Sequence, residues 1–255
     1  MNNYRFACLL VALIAAPLLA ADTAQEIVDE AQRRATTKSE RYEGLLESFN
    51  ASGKKTSEKR WIFQRVGAHG QSKSIIRFTA PAEVRGVALL IVNRPDRASD
   101  QWMWTPAIER DRRIALQDRS TKFFGTDFSF EDLEEREAAQ YEHQLLGEEA
   151  IGGSAAWKIQ ATPKPSRSSQ YTKQIVWIRK DNYATVRIDS YVKDQVARRL
   201  ELSDLRQVGG IWTAHDTMMT DEQRRTRTRL RLDKVEYNLP LKEDDFTVQA
   251  LRRQQ

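Results

Sequence analysis

The sequence predicts a mainly β protein: a curved antiparallel sheet forming an unclosed barrel, with few helices. Three observations carry this. Most of the chain runs in short segments of alternating apolar and polar residues, the period of a half-buried strand. Turn residues separate these segments at short intervals, among them Gly53, Gly67 with Gly70, Gly152-Gly153 and Gly209-Gly210. Helical spacing is confined to one stretch near the start and one near the middle. Many short strands with few helices give an antiparallel sheet, barrel or sandwich.

The first 21 residues stand apart from that pattern. Arg5 precedes an apolar run from Ala7 to Leu19, and Ala20-Ala21 follow. A positive start, an apolar centre and a small-residue exit make a secretory signal peptide. The run is too short for a spanning helix. The expectation is therefore an exported protein: a leader over residues 1–21, cleaved or else retained as an anchor, and one domain over 22–255. Cys8, the only cysteine among 255 residues, lies inside the leader. That excludes an internal disulfide, a CxxC redox pair and a cysteine zinc site.

After the leader, Thr23 to Glu26 fits the capping box Thr-x-x-Glu, whose two side chains satisfy free N–H groups at a helix start. Ala24, Ile27, Val28, Ala31 and Ala35 then form one apolar stripe, so a helix is predicted to end near Thr36-Thr37. The predicted strands are Leu45–Ser52, Lys59–Val66, Ser72–Thr79, Val87–Val92, Gln101–Trp104, Arg112–Leu116 and Tyr141–Glu148, followed by Ala156–Ala161, Tyr171–Arg179, Thr185–Val192, Ala197–Leu205, Ile211–Met219 and Arg225–Tyr237. In the last, Thr226, Thr228, Leu230 and Leu232 alternate with Arg225, Arg227, Arg229 and Arg231. Successive strand side chains face opposite ways, so one face is apolar or methyl-bearing and the other a guanidinium ladder. This ladder reads as a solvated strand face that also protects a sheet edge; anionic lipid head groups are the alternative contact.

Lys122–Glu137 breaks the β pattern. With Ser129 as N-cap, Asp132 occupies the capping-box position, and Phe128 and Leu133 are placed for a hydrophobic staple. Glu131, Asp132, Glu134 and Glu135 put negative charge where a helix dipole favours it. A short, aromatic-laden helix is predicted here, acting as a plug or lid. Pro163–Ser169 reads as an exposed loop.

Catalytic and metal chemistry finds little support. His69, His143 and His215 have no second ligand at metal spacing. Asp127 and Asp132 are residue types for a general acid and base, but capping already accounts for Asp132. No GxSxG elbow, Walker loop or GxGxxG is present. Export argues against nucleic acid as the target of the arginines. The net charge of +5, from 41 basic and 36 acidic residues, is only mildly basic. The tryptophans Trp61, Trp102, Trp104, Trp157, Trp177 and Trp212 all fall on predicted strands. They either fill a core or line a cavity, and a barrel of about ten strands or more encloses more room than its own side chains fill.

Several stretches together carry a family likeness: Phe78-Thr79-Ala80-Pro81 with Gly86 and Leu89-Leu90, Trp102-Met103-Trp104-Thr105-Pro106, Arg112-Arg113-Ile114, and Phe124 through Leu133. The last resembles the GSDFSYEDL stretch of exported outer-membrane lipoprotein-sorting, or LolA-like, proteins. Thr126 here replaces the usual Ser, and Phe130 the usual Tyr. The resemblance implies about eleven strands wrapped around a helical plug, over a cavity that takes acyl chains. It implies a non-enzymatic monomeric carrier of lipid or lipoprotein, with no cofactor and no metal. The partner would be an outer-membrane acceptor or an RND-type exporter. An accessory or sensor protein docking on such an exporter without carrying lipid is the alternative. The residues expected at the cavity or lid are Leu89, Ile91, Trp102, Trp104, Phe124, Phe128, Phe130 and Leu133. Asp127, Ser129 and Asp132 are expected to hold the lid by capping.

Overall fold

The computed structural model describes residues 23–68 and 71–253. The predicted leader and His69 lie outside them. The first element is the predicted helix, α1 (Ala24–Ala35), and both arms of its capping box form. Glu26 N donates to Thr23 Oγ1 at 3.2 Å, and Thr23 N donates to Glu26 Oε2 at 2.7 Å.

Six strands follow: β1 (Ser39–Phe49), β2 (Lys55–Val66), β3 (Lys73–Ala80), β4 (Ala88–Val92), β5 (Asp100–Thr105) and β6 (Arg110–Arg113). After a long crossing segment come β7 (Tyr141–Ile151), β8 (Ser154–Pro163), β9 (Lys173–Arg179), β10 (Thr185–Val192), β11 (Gln195–Val208), β12 (Ile211–Asp221) and β13 (Thr226–Tyr237). A short helix, α2 (Val248–Leu251), ends the described chain. The sheet therefore has thirteen strands, the number read from the alternation, against about eleven implied by the resemblance. Strand β1 begins earlier than predicted because Ser39–Glu43 is polar and shows no apolar alternation.

All thirteen strands form one antiparallel sheet in the order β6-β5-β4-β3-β2-β1-β13-β12-β11-β10-β9-β8-β7. Two meanders are thus joined where β13 returns to pair with β1. The sheet stays unclosed because β6 and β7 lie at its two ends. The segment between them, residues 114–140, crosses one face, hereafter the inner face.

Strand β13 corrects one expectation. It pairs with both β1 and β12, so its arginines protect no edge. The alternation itself holds: Thr228 is fully buried and Leu230 and Leu232 pack on the inner core. On the other side Arg229 pairs with Asp216, and Arg231 with Glu47 at 3.5 Å.

The β1–β13 seam is close. At Gly44, where the register shifts, a Cβ would lie 2.1 Å from the Arg231 carbonyl oxygen. Gly44→Ala is expected to lower stability by about 1–3 kcal/mol, the usual cost of overpacking. A drop in the urea midpoint at unchanged slope is the readout.

Four apolar clusters follow from the alternation. On the inner face, Phe78, Leu89, Ile91, Phe123 and Phe130 form one core, and Ile27 of α1 joins Tyr141, Ile159 and Ile178 in a second. On the outer face, Leu90 packs with Phe246 and Leu251, and Trp177 with Ile175 and Val186.

The crossing segment is not the predicted helix. It is an irregular strap with short 3-10 turns at Leu116–Asp118, Glu131–Leu133 and Ala138–Gln140. Its acidic run explains why. Glu131 accepts from Gln170 N at 2.9 Å, Asp132 from the Tyr171 hydroxyl at 2.7 Å, and Glu134 from Arg119 at 2.9 Å; Glu135 bonds the Ser72 hydroxyl. These partners surround the strap. Successive helical residues, turned by about 100°, would not reach all of them. The 163–169 loop also departs from expectation, because Arg167 is buried beneath it.

Candidate functional site

The site begins with α1. Ala24 and Ile27 pack against Tyr141, Trp157 and Ala161, which seals one end of the helix onto the sheet. Further along, Val28 and Ala31 pack half-buried at the edge of that cluster and, with Ala35, border a gap beneath the helix. That gap is a partly open cavity of about 570 Å³. Its floor comprises Val176 and Ile178 of β9, Ile188 of β10 and Leu202 of β11. Trp212, 42% exposed, stands at its mouth. The volume suits a small amphiphile, since ligand pockets span roughly 300–1,000 Å³.

The polar wall comes from the end of the strap. Residues 135–138 line the cavity, and Gln32 of α1 clamps them. Gln32 Nε2 donates to Glu137 Oε2 at 2.7 Å, and Ala138 N donates to Gln32 Oε1 at 3.0 Å. Arg65 reaches the wall from β2, buried and paired with Glu40 at 2.7 Å. Burial raises the Glu135 carboxyl above its ordinary range, against the opposing Ser72 hydroxyl bond. Burial, and then the neighbouring Arg136 charge, lowers the His143 imidazole to about 4, so it is neutral at pH 7.

None of the residues expected at the cavity lines it. Leu89, Ile91 and Phe130 are packed in the inner core, with Phe124 and Leu133 against it. Phe128 is buried in the strap. Trp102 and Trp104 lie on the outer face, opposite Leu90 and Ala88 of β4, so the structure does not bring them together with Leu89 and Ile91.

Of the three residues expected to cap, Ser129 and Asp132 form the capping bonds and Asp127 does not. Asp127 caps no helix; it accepts from Lys122 Nζ at 2.6 Å, Thr226 Oγ1 at 2.5 Å and Thr228 Oγ1 at 2.9 Å, tying the strap to β13. Ser129 and Asp132 do make the reciprocal bonds of a capping box, at 2.7 and 3.3 Å, but around a single 3-10 turn. Asp132 also pairs with Arg198 of β11.

The cavity residues form no motif in the sequence, being small alanines on one helix and aliphatics on three strands. The signal available was the α1 stripe itself, which turns from Ile27 to alanine toward its end.

A family model described as an uncharacterized protein matches residues 70–253. A search of curated proteins finds no match. Among solved structures, the chain is similar to an outer membrane lipoprotein-sorting protein domain from Vibrio parahaemolyticus. The two share 27% identity with a TM-score of 0.85, over 90% of this chain and 98% of that one. A DUF1329 family protein from Desulfovibrio piger is 25% identical with a TM-score of 0.84, over 89% and 97% of the two chains. A LolA superfamily protein from Nitrosomonas europaea shares the fold at 20% identity and a TM-score of 0.69, over 90% and 100%. The family match covers residues 70–253, more than half of the chain, so the chain belongs to that uncharacterized family, and its likeness to the lipoprotein-sorting and DUF1329 structures runs nearly end to end.

Proposed function

We propose that the protein is a periplasmic carrier that shelters acyl chains of a lipid or lipoprotein and helps move them toward the outer membrane. The cavity between α1 and strands β9–β12 carries this reading: it is floored by aliphatic side chains in a fold shared with a lipoprotein-sorting domain. The physical need is direct. An acyl chain released into water loses about 0.8 kcal/mol per CH₂, so transit across an aqueous compartment requires a shielding pocket. The leader over residues 1–21 would supply export, and no catalytic step is needed.

Release requires an opening. In this reading the strap is the lid, since its end already forms one wall of the cavity. Lifting it would uncover Leu89 and Ile91 on the sheet and expose Phe124, Phe128, Phe130 and Leu133 as the lid's apolar side. Trp102 and Trp104, on the outer face, stay outside that surface.

A fluorescent fatty acid titrated into protein lacking residues 1–21 tests this. Ala31→Trp fills the gap under α1 and is expected to weaken binding at least about tenfold, the effect of losing about 1.4 kcal/mol. Unchanged affinity in the folded variant, or no binding to the parent protein, refutes the carrier reading. Native mass spectrometry of protein taken from the periplasm is expected to show bound lipid mass.

A further inference from the structure

Resting on the carrier reading, we infer that Arg136 is the anchor for an anionic head group, so that the cavity takes acidic amphiphiles in preference to neutral ones. The charges around the cavity are almost all spoken for. Arg34 is paired with Glu30 at 2.7 Å and covers the Tyr183 ring. Arg65 is paired with Glu40. Glu135 is held by Ser72, and Glu137 by Gln32.

Arg136 is the exception. It lines the cavity and stacks 5.3 Å from the Tyr141 ring centre, with no ion pair among the described residues. The flanking carboxylates Glu135 and Glu137 are engaged by Ser72 and Gln32 instead, and the Asp132 charge acts on Arg136 without forming an ion pair with it. The Tyr141 hydroxyl is engaged by Arg167 Nε at 2.9 Å, and His143 Nδ1 is bonded to Gln25 Oε1 at 2.9 Å. Arg136 is also partly desolvated, and that burial lowers its pKa. A guanidinium nevertheless keeps its charge, so the protein holds a positive charge without a direct ion-pair partner beside a largely hydrocarbon-lined space. An unpaired charge withdrawn from water is costly, and a ligand whose anionic end meets Arg136 while its chain enters the cavity removes that cost. Carboxylate and phosphate both match the guanidinium fork. The shared requirement is an acyl chain ending in an oxyanion.

Competition against a fluorescent fatty acid, using palmitate, its methyl ester and an acyl lysophosphatidate, reads this out. The parent protein is expected to bind palmitate about tenfold or more tighter than the ester, the size of a hydrogen bond to a charged group. Arg136→Gln is expected to abolish that preference by weakening palmitate far more than the ester; Arg136→Lys is expected to retain most of it. Tighter competition by lysophosphatidate than by palmitate would identify a phosphate head group, and the reverse a free fatty acid. An acid-to-ester ratio near one in the parent protein overturns the anchor while leaving the carrier reading intact, and this arm needs no variant. An unchanged ratio in folded Arg136→Gln overturns it equally. Failure of every probe to bind the parent protein overturns the carrier reading and the anchor together.

Discussion

Glu134→Ala is expected to lower the thermal midpoint by roughly 6–20 °C, the consequence of losing about 3–5 kcal/mol when one member of a buried ion network is removed. The Glu134 side chain is 1% exposed and sits between two buried guanidiniums, 2.9 Å from Arg119 and 3.0 Å from Arg167. Gln101 Nε2 of β5 donates to the same carboxylate at 2.9 Å. The group therefore joins the strap, β5 and the 165–167 turn at one point. Truncation leaves both arginines buried without a counter-charge, which is the costly part; the pair's own net contribution is much smaller. The network is already short of partners, since the Arg119 Nε donor and the Gln101 Oε1 acceptor are both buried without one. Glu134→Gln keeps an acceptor but not the charge and should fall in between. As a control, Glu58, exposed and paired with Lys55 at 2.5 Å, should tolerate alanine with an unmoved midpoint. Circular dichroism melts check all three. A midpoint for Glu134→Ala within a degree or two of the parent would show that the network is solvated.

That network also marks how far the sequence could be read. Alternation and turn residues were enough for the antiparallel sheet, because they report which side chains face the core. Strand β13 shows it best: Thr228 is buried, Leu230 and Leu232 pack half-buried on the inner core, and the arginines face outward. Pairing order was a different matter. Nothing local in residues 225–232 reveals that β13 closes onto β1 about 180 residues away, so the arginines were read as an edge. The strap was misread for a related reason. Ser129 through Glu135 carries every local mark of a helix start, and the reciprocal Ser129–Asp132 bonds form as those marks require. What stops the helix is long-range: Gln170, Tyr171, Arg119 and Ser72 each take one carboxylate. Local signals set the first turn, and tertiary partners decided that there would be no second. The cavity was the least legible feature, because it is a space left between residues that are individually unremarkable.

Phe123→Ala should separate the strap's two roles. Phe123 is 2% exposed; it stacks on Phe78 at 5.5 Å and meets Phe124 and Phe130 edge-on at 5.4 and 5.6 Å. Truncating a buried phenylalanine costs about 3–5 kcal/mol. How that cost appears depends on what unfolds. The polar pins remain in the variant: Asp127 on Thr226 and Thr228, Asp132 on Tyr171 and Arg198, and Glu134 on its arginines. If the strap opens as a unit while the sheet stays folded, the lost energy raises the open population more than about a hundredfold, since each 1.4 kcal/mol is tenfold. Amide exchange across residues 119–137 should then accelerate by that factor, with β8–β10 still protected. A fluorescent fatty acid should also enter faster, while its affinity changes little because the cavity floor is untouched. If instead exchange accelerates everywhere alike and entry keeps its parent rate, the strap unfolds only with the whole sheet. It would then be a core element rather than a lid, and cargo would have to pass through the cavity mouth beside Trp212.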